Sequence, residues 1–481
     1  MSTVQKIAHN TLIQVIGKTA VIALALVGFG LMTRYLGQQG VGYYSTIYAF
    51  LAIFGILVDL GLQMTTTQLI SDPKENEGQI LSNALTIRFV ASLIFLSLAP
   101  IIALFLPYPG IVKIGMIIAI FGFVSASLTA TLTSLFQKNL IMLKAVIAEV
   151  VAKIIYLLLT IIVIYFDFGL LGILVAASLD SFFVFAIMFY FASKQMKLKP
   201  SFNWPVWQKI LLKTWPVALT IALNLIYFKG DIFIMSLVRS QAEVGLYGAP
   251  YKVLEVLINI TYLFLGLILP LLAQAAATND LGKLKKIIQS AFDFLIIVTI
   301  PMIVGGYFLG KPLMVLMAGP DFAISGQIIK ILLLATGAIF VAGLFGYAVV
   351  ALNCQKKMIK FYAANAIISV IGYLIFIPLY SYWGAAWMTV FTELFILATA
   401  GLVLYQQLKF LPNLKIFAKA LAASLVMALA LYFLPTWPLI LSIACGALVY
   451  FISLYLFKGF DKQMVLEIIQ IKKNEAPDNQ A

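Results

Sequence analysis

RYLGQQGVGYYSTIY, residues 34–48, returns in altered form as LVRSQAEVGLYGAPY, residues 237–251. At a constant offset of 203 residues, Gln38 matches Gln241, Val41 matches Val244, Gly42 matches Gly245, Tyr44 matches Tyr247, Tyr48 matches Tyr251 and Leu51 matches Leu254. Each copy is a short polar break between two long apolar runs. A repeat at this distance describes two similar halves rather than a solenoid of short units. In a membrane protein, paired halves are the architecture of carriers that work by alternating access.

The chain around the repeat is 63% hydrophobic and 10% charged, less than half the charge usual in soluble domains. Apolar runs long enough to cross a bilayer recur from end to end, so the fold class is an all-α polytopic membrane protein. A β-barrel would alternate apolar and polar residues over about ten positions, and these runs do not. The first apolar run carries no small-residue cleavage site and is read as an inserting helix, not a removable signal. The net charge of +14 does not point to nucleic acid, because the lysines gather in loops on one side.

About 14 transmembrane helices are expected. Alternate loops carry Lys74, Lys138 and Lys144, Lys194 to Lys199, Lys283 to Lys286, Lys356 to Lys360, and Lys458 to Lys473. The opposite ends hold only Arg34, Lys113, Arg239, Lys311 and Lys330. The positive-inside rule makes the lysine-rich side and both termini cytoplasmic and turns both repeat copies outward. The expected lobes are residues 1–200 (helices 1–6) and 201–408 (helices 7–12), pseudo-symmetric, followed by a helix pair and tail over 409–481. The basic, tryptophan-bearing segment 194–209 links the lobes along the inner interface. Met464, Leu466, Ile468, Ile469 and Ile471 suggest a short surface helix in the tail.

Charges inside a span are expensive and face a protein interior or a wet cavity. Asn10, Gln14 and Lys18 form one stripe on span 1; Arg88 and Ser92 stand one turn apart on span 3. Ser125, Thr129, Thr133 and Gln137 share a face of span 4, suited to sugar or to bonds between helices. Glu149 and Lys153 have the i, i+4 spacing of an ion pair within one helix. Span 7 carries Thr220, Asn224, Tyr227 and Asp231 on one stripe; Lys229 is two residues from Asp231 and points elsewhere, so the acid needs another partner. The most polar face in the chain is Tyr247, Tyr251, Glu255, Asn259 and Tyr262 on span 8, with Lys252 three residues before Glu255. Asp59, Asp180, Asp293 and Glu393 are single acids in other spans.

Enzyme signatures are missing: the single histidine, His9, is terminal, Cys354 and Cys445 have no metal-type spacing, and no HExxH, GxSxG, CxxC or phosphate-loop pattern occurs. No cofactor is expected, and with no nucleotide-binding domain on the chain, transport is not powered by ATP bound to it.

The stretch LMTRYLGQQGVGYYSTIYAFLAIFGILVDLGL (31–62), with Arg34, Leu36, Gly37, Gly42, Tyr44, Asp59, Gly61 and Leu62, resembles the second-helix signature of the polysaccharide biosynthesis flippases. These form the Wzx-type, O-antigen branch of the multidrug/oligosaccharidyl-lipid/polysaccharide exporter superfamily. Asp231, Gly245, Tyr247 and Lys252 in GDIFIMSLVRSQAEVGLYGAPYKVLE (230–255) are similar to its seventh-to-eighth helix signature. The resemblance implies two six-helix bundles around a cationic cavity. It also implies movement of undecaprenyl-pyrophosphate-linked oligosaccharide across the cytoplasmic membrane, coupled to protons or sodium. Lys18, Arg88, Lys153, Lys229 and Lys252 are the candidate substrate-binding cations. Asp231 and Glu255 are the candidate coupling acids, and Asn224, Tyr247, Tyr251 and Asn259 the polar face of the cavity. With three arginines in the chain, lysines would meet the pyrophosphate as point charges. Expected partners are lipid-linked oligosaccharide, membrane lipid and glycan polymerase or ligase proteins. The competing expectations are a peptidoglycan-precursor flippase or multidrug exporter of the same superfamily, and a non-transporting scaffold of a glycan-assembly complex.

Overall fold

The computed structural model describes residues 3–139, 141–433 and 437–459, with side chains over 17–139, 141–214, 228–433 and 437–459. These residues form thirteen α-helices: α1 (Thr3–Asp59), α2 (Leu62–Ile70), α3 (Glu77–Leu104), α4 (Gly110–Lys138), α5 (Met142–Tyr165), α6 (Gly169–Ser193), α7 (Trp204–Val238), α8 (Gln241–Ala277), α9 (Leu281–Ala318), α10 (Ser325–Ala351), α11 (Ile359–Leu408), α12 (Lys415–Tyr432) and α13 (Leu439–Leu456). Among the described residues, 11 helical stretches are long and apolar enough to cross a membrane. In lipid the helix satisfies every backbone group internally, which is why apolar runs of this length adopt it.

Two of those stretches contain a break. In α1 the break is Gly37, at φ 63° and ψ −176°, a conformation glycine adopts without strain. In α11 it is Ser381, at φ 53° and ψ −134°. With each broken helix counted as two arms, and with the 35-residue α7 added, the described residues give fourteen long helical segments, consistent with the about 14 transmembrane helices expected. Leu60 and Gly61, both at positive φ, separate α1 from the short α2.

A serine is costly at positive φ and has to be held there. Breaking the helix at Ser381 frees the carbonyls of Ile377 and Pro378, and the Arg239 guanidinium donates to both, through Nε (3.1 Å) and Nη2. Ser381 Oγ donates to Glu243 Oε1 at 2.5 Å. Glu243 also accepts from Ser240 N at 3.2 Å while its own N–H donates to Ser240 Oγ at 3.3 Å, a capping box at the start of α8.

The chain divides into two compact units. The first is Met1–Gly248 with Tyr373–Ser381; the second is Ala249–Gly372 with Tyr382–Ala481. In the first, Ile47, Phe50, Leu51, Leu96, Val112, Met116 and Leu174 form a core where α1, α3, α4 and α6 meet. In the second, residues of α8 to α13 share one core from Leu265 to Leu454. Tyr450 of α13 donates to the Ile297 carbonyl of α9 at 2.8 Å and ties the terminal helix pair to that core.

The segment before α7 is pinned to α3. Asn203 N donates to Asn83 Oδ1 and Ser201 N to Thr86 Oγ1, both at 2.9 Å, while Phe202 and Trp204 stay exposed. The side chains of His9, Asn10, Gln14, Thr220, Asn224 and Tyr227, and the 464–471 pattern, lie outside the described residues.

Candidate functional site

The two copies of the repeat pack on each other. A methyl group built on Gly42 would stand 1.7 Å from the Gln241 carbonyl oxygen, and one on Gly245 would stand 1.9 Å from the Gln38 carbonyl oxygen. The contact is reciprocal, since 38 and 42 in one copy correspond to 241 and 245 in the other. Ser45 corresponds to Gly248, and these two touch: a methyl on Gly248 would meet Ser45 Oγ at 2.3 Å. Equivalent residues meeting each other mark a local two-fold axis, the geometry of an isologous interface. Thr46 Oγ1 donates to Gln241 Oε1 at 2.7 Å across the same contact. Nearby, the Tyr108 hydroxyl shares a hydrogen bond with Ser236 Oγ at 2.7 Å. Burial pushes the Tyr108 phenol up to about 12, against a smaller opposing effect of that bond.

Asp231 is fully buried. The partner that the sequence spacing demanded is the hydroxyl of Tyr247, which donates to Asp231 Oδ2 at 2.7 Å; Oδ1 accepts from the Ile232 N–H at 2.7 Å. Lys229 lies 5.5 Å from the ring centroid of its neighbour Phe228.

Where α1, α5 and α6 meet, two lysines enter ion pairs between helices. Lys18 Nζ is 2.6 Å and 2.5 Å from the two carboxylate oxygens of Glu149. Lys153 Nζ is 2.5 Å from Asp180 Oδ2 and 5.0 Å from the Tyr156 ring centroid. The expected pairing of Glu149 with Lys153 along α5 is therefore corrected: each binds a partner on another helix. The i, i+4 rule describes an isolated helix, and here a closer partner comes from each side. Tyr44 and Tyr48 stack at 4.4 Å beside Tyr156 and the Asp180 carboxylate. Glu149 and Asp180 were not chosen as site residues from sequence. The available signal was depth, since Lys153 and Asp180 lie about equally far from the lysine-rich ends of α5 and α6. The neighbouring groove of about 430 Å³ between α5 and α6, lined by Leu159, Val163, Val175 and Leu179, holds no ionisable group and is not part of the polar site.

Arg88 is 1% exposed inside the first unit. It is ion-paired with Asp59 through Nη2, and Nη1 donates to the Ser127 carbonyl at 2.8 Å. The hydroxyl face of α4 turns on itself: Ser125, Thr129 and Thr133 each donate to the carbonyl four residues earlier. Their donors stay within the helix, and a bond to the neighbouring helix comes from Ser134, to the Gln63 carbonyl at 3.0 Å.

On α8, Tyr251 is buried and Asn259 exposed, and Lys252 pairs with Glu255 at 2.9 Å. Deeper in the second unit, the buried carboxylate of Glu393 acts electrostatically on Tyr262 and Tyr362, and Tyr262 stacks on Tyr347 at 6.3 Å. Among the described residues no cluster of His, Cys, Asp and Glu could hold a metal ion.

Among solved structures, the lipid II flippase MurJ in an inward closed conformation superposes with a TM-score of 0.71 at 16% identity, over 96% of this chain and 100% of that one. An inward-facing multidrug resistance MATE family transporter of the MOP superfamily matches at 0.67 and 13%, over 81% and 94%. A MOP superfamily transporter from Pyrococcus furiosus matches at 0.61 and 13%, over 84% and 96%. These likenesses establish the fold. No curated protein sequence matches the chain. The family model for polysaccharide biosynthesis proteins matches residues 31–325, more than half of the chain and both copies of the repeat. The chain belongs to the polysaccharide biosynthesis protein family.

Proposed function

We propose that this multi-pass membrane protein moves an undecaprenyl-pyrophosphate-linked oligosaccharide from the inner to the outer leaflet of the cytoplasmic membrane, by alternating access of a lobe over 1–200 and a lobe over 201–408. The supporting observation is a set of lysines inside spans. Lys18 and Lys153 sit partly accessible, Lys153 beside the Tyr156 ring, chemistry that suits an anionic, sugar-bearing headgroup better than a cationic drug. The family match points to polysaccharide rather than drug export. In this reading Lys229 and Lys252 add to the positive potential and Asn224 and Asn259 meet the sugar, while Arg88, Tyr247 and Tyr251, all buried, hold the helices in place rather than line the cavity. Asp231 and Glu255 take up the coupling ion. Both termini face the cytoplasm, and polymerase or ligase proteins receive the product.

The test is reconstitution of the purified chain in liposomes with a fluorescent lipid-linked oligosaccharide, following its exposure to an impermeant quencher. Flipping beyond that of empty liposomes supports the reading; none supports a scaffold. The likeness to a lipid II flippase motivates a second substrate, and lipid II in the same assay decides between the two.

A further inference from the structure

Four charges alternate in sign across three helices: Lys18 of α1, Glu149 and Lys153 of α5, Asp180 of α6. Glu149 and Lys153 stand one turn apart, about 6 Å, so the two ion pairs lie side by side. None of the four side chains is fully buried, the most exposed being Lys18 at 32% and the least Asp180 at 15%. An ion pair in a low-dielectric setting contributes little net stability relative to apolar packing, so two adjacent pairs are weakly explained by folding alone. Asp180 adds a second observation: Oδ2 holds Lys153, but Oδ1 is buried with no hydrogen-bond partner.

We infer that Glu149 and Asp180 are exchangeable counter-ions of a diphosphate site. With no anion bound, each carboxylate holds one ammonium group. When a diphosphate arrives, the N–H···O contacts pass from carboxylate to phosphate oxygens, and each displaced carboxylate takes a proton from solvent onto an oxygen, Oδ1 in the case of Asp180. Nothing is oxidised or reduced, and the bound proton replaces the lost positive partner. Two ammonium groups about one helical turn apart fit a diphosphate with its two charged centres. The groups facing the acids are Lys18 from α1, Lys153 and Tyr156 from α5, and Tyr44 and Tyr48 from the second arm of α1. By linkage, anion binding promotes proton uptake and protonation promotes anion binding equally. The inference rests on the reading that Lys18 and Lys153 form the anion site.

The experiment titrates inorganic pyrophosphate into the purified full-length chain by calorimetry. Wild type is compared with Glu149→Gln/Asp180→Asn and with each single variant, at about pH 4, near the ordinary carboxylate range, and at about pH 8, well above it. Comparing proteins at one pH cancels the probe's own protonation. At the higher pH the double variant binds about tenfold tighter than wild type, because its amides do not compete for the ammonium groups. At the lower pH the two converge. Repeating the titration in buffers of different ionisation heat shows more proton uptake on binding by wild type than by the double variant. Parallel binding curves with equal proton uptake overturn the exchange. Lys18→Gln/Lys153→Gln separates the two levels. If that protein still binds pyrophosphate, or if wild type binds none, the anion-site reading itself fails. If it loses binding while the carboxamide variants keep the wild-type pH profile, only the exchange fails. A parallel titration with farnesyl diphosphate identifies the source: tighter binding than the inorganic ion assigns a lipid-borne diphosphate, equal binding a soluble one.

Discussion

Gly42 and Gly245 are equivalent residues of the two repeat copies, and each lies against the other copy's backbone at a distance that leaves no room for a methyl group. The atoms in the way are carbonyl oxygens, which cannot rotate aside as a side chain would. Alanine at either position has to push two helices apart, at about 1–3 kcal/mol. Gly42→Ala and Gly245→Ala should each lower the thermal unfolding midpoint and slow flipping in liposomes. Because they share one contact, the double variant should cost clearly less than the sum of the singles. Strict additivity would show that the two copies do not touch in the membrane.

The Arg88–Asp59 pair predicts an asymmetry. Asp59 is 41% exposed at its side chain and Arg88 is 1% exposed. Asp59→Asn strands a buried guanidinium and should cost about 3–5 kcal/mol, whereas Arg88→Met leaves a carboxylate that solvent can reach and should cost less. Chemical unfolding in detergent compares the two. Equal losses would place Asp59 in as dry a setting as its partner.

Tyr247→Phe removes the donor to Asp231 Oδ2 and leaves a buried carboxylate short of one bond, a loss of about 1–3 kcal/mol. Asp231→Asn keeps the shape and removes the charge. If Asp231 couples transport to a gradient, flipping by Asp231→Asn should proceed at the same rate with and without an imposed ion gradient, while wild type responds. A variant that still responds removes Asp231 from the coupling path.

Arg239→Lys should behave nearly like Arg239→Ala. The guanidinium bonds two successive carbonyls, of Ile377 and Pro378, with donors fixed in a plane, and a single ammonium does not reproduce that fork. Hydrogen exchange at the amides flanking Ser381 should rise in both variants. Protection retained in Arg239→Lys would mean that charge alone holds the break.

The fourteen spans were legible because bilayer-length apolar runs are a one-dimensional signal, and the repeat was legible because Gly42 and Gly245 keep their register over 203 residues. What was not legible was who meets whom. Glu149 and Lys153 look like partners along the chain and bind Lys18 and Asp180 instead. Ser125, Thr129 and Thr133 look like an outward polar face, and their hydroxyls return to their own helix backbone. Both cases turn on the azimuth at which neighbouring helices approach, which spacing within one helix does not encode. Asp231 is the intermediate case: the spacing ruled out Lys229 as a direct partner and demanded another, but did not name Tyr247.

The segment Tyr373–Ser381 belongs to the first unit, although all of Ala249–Gly372 is synthesised before it. On a translating ribosome, Arg239 and Glu243 therefore emerge long before the carbonyls and the hydroxyl they bind. Vectorial folding, in which an N-terminal unit closes before its successor appears, is unavailable to this chain. Nascent chains arrested shortly before residue 373 lack the carbonyls and hydroxyl that Arg239 and Glu243 bind and should be cleared by membrane proteases faster than the full-length chain. The first unit is therefore complete only once residues 373–381 have been made.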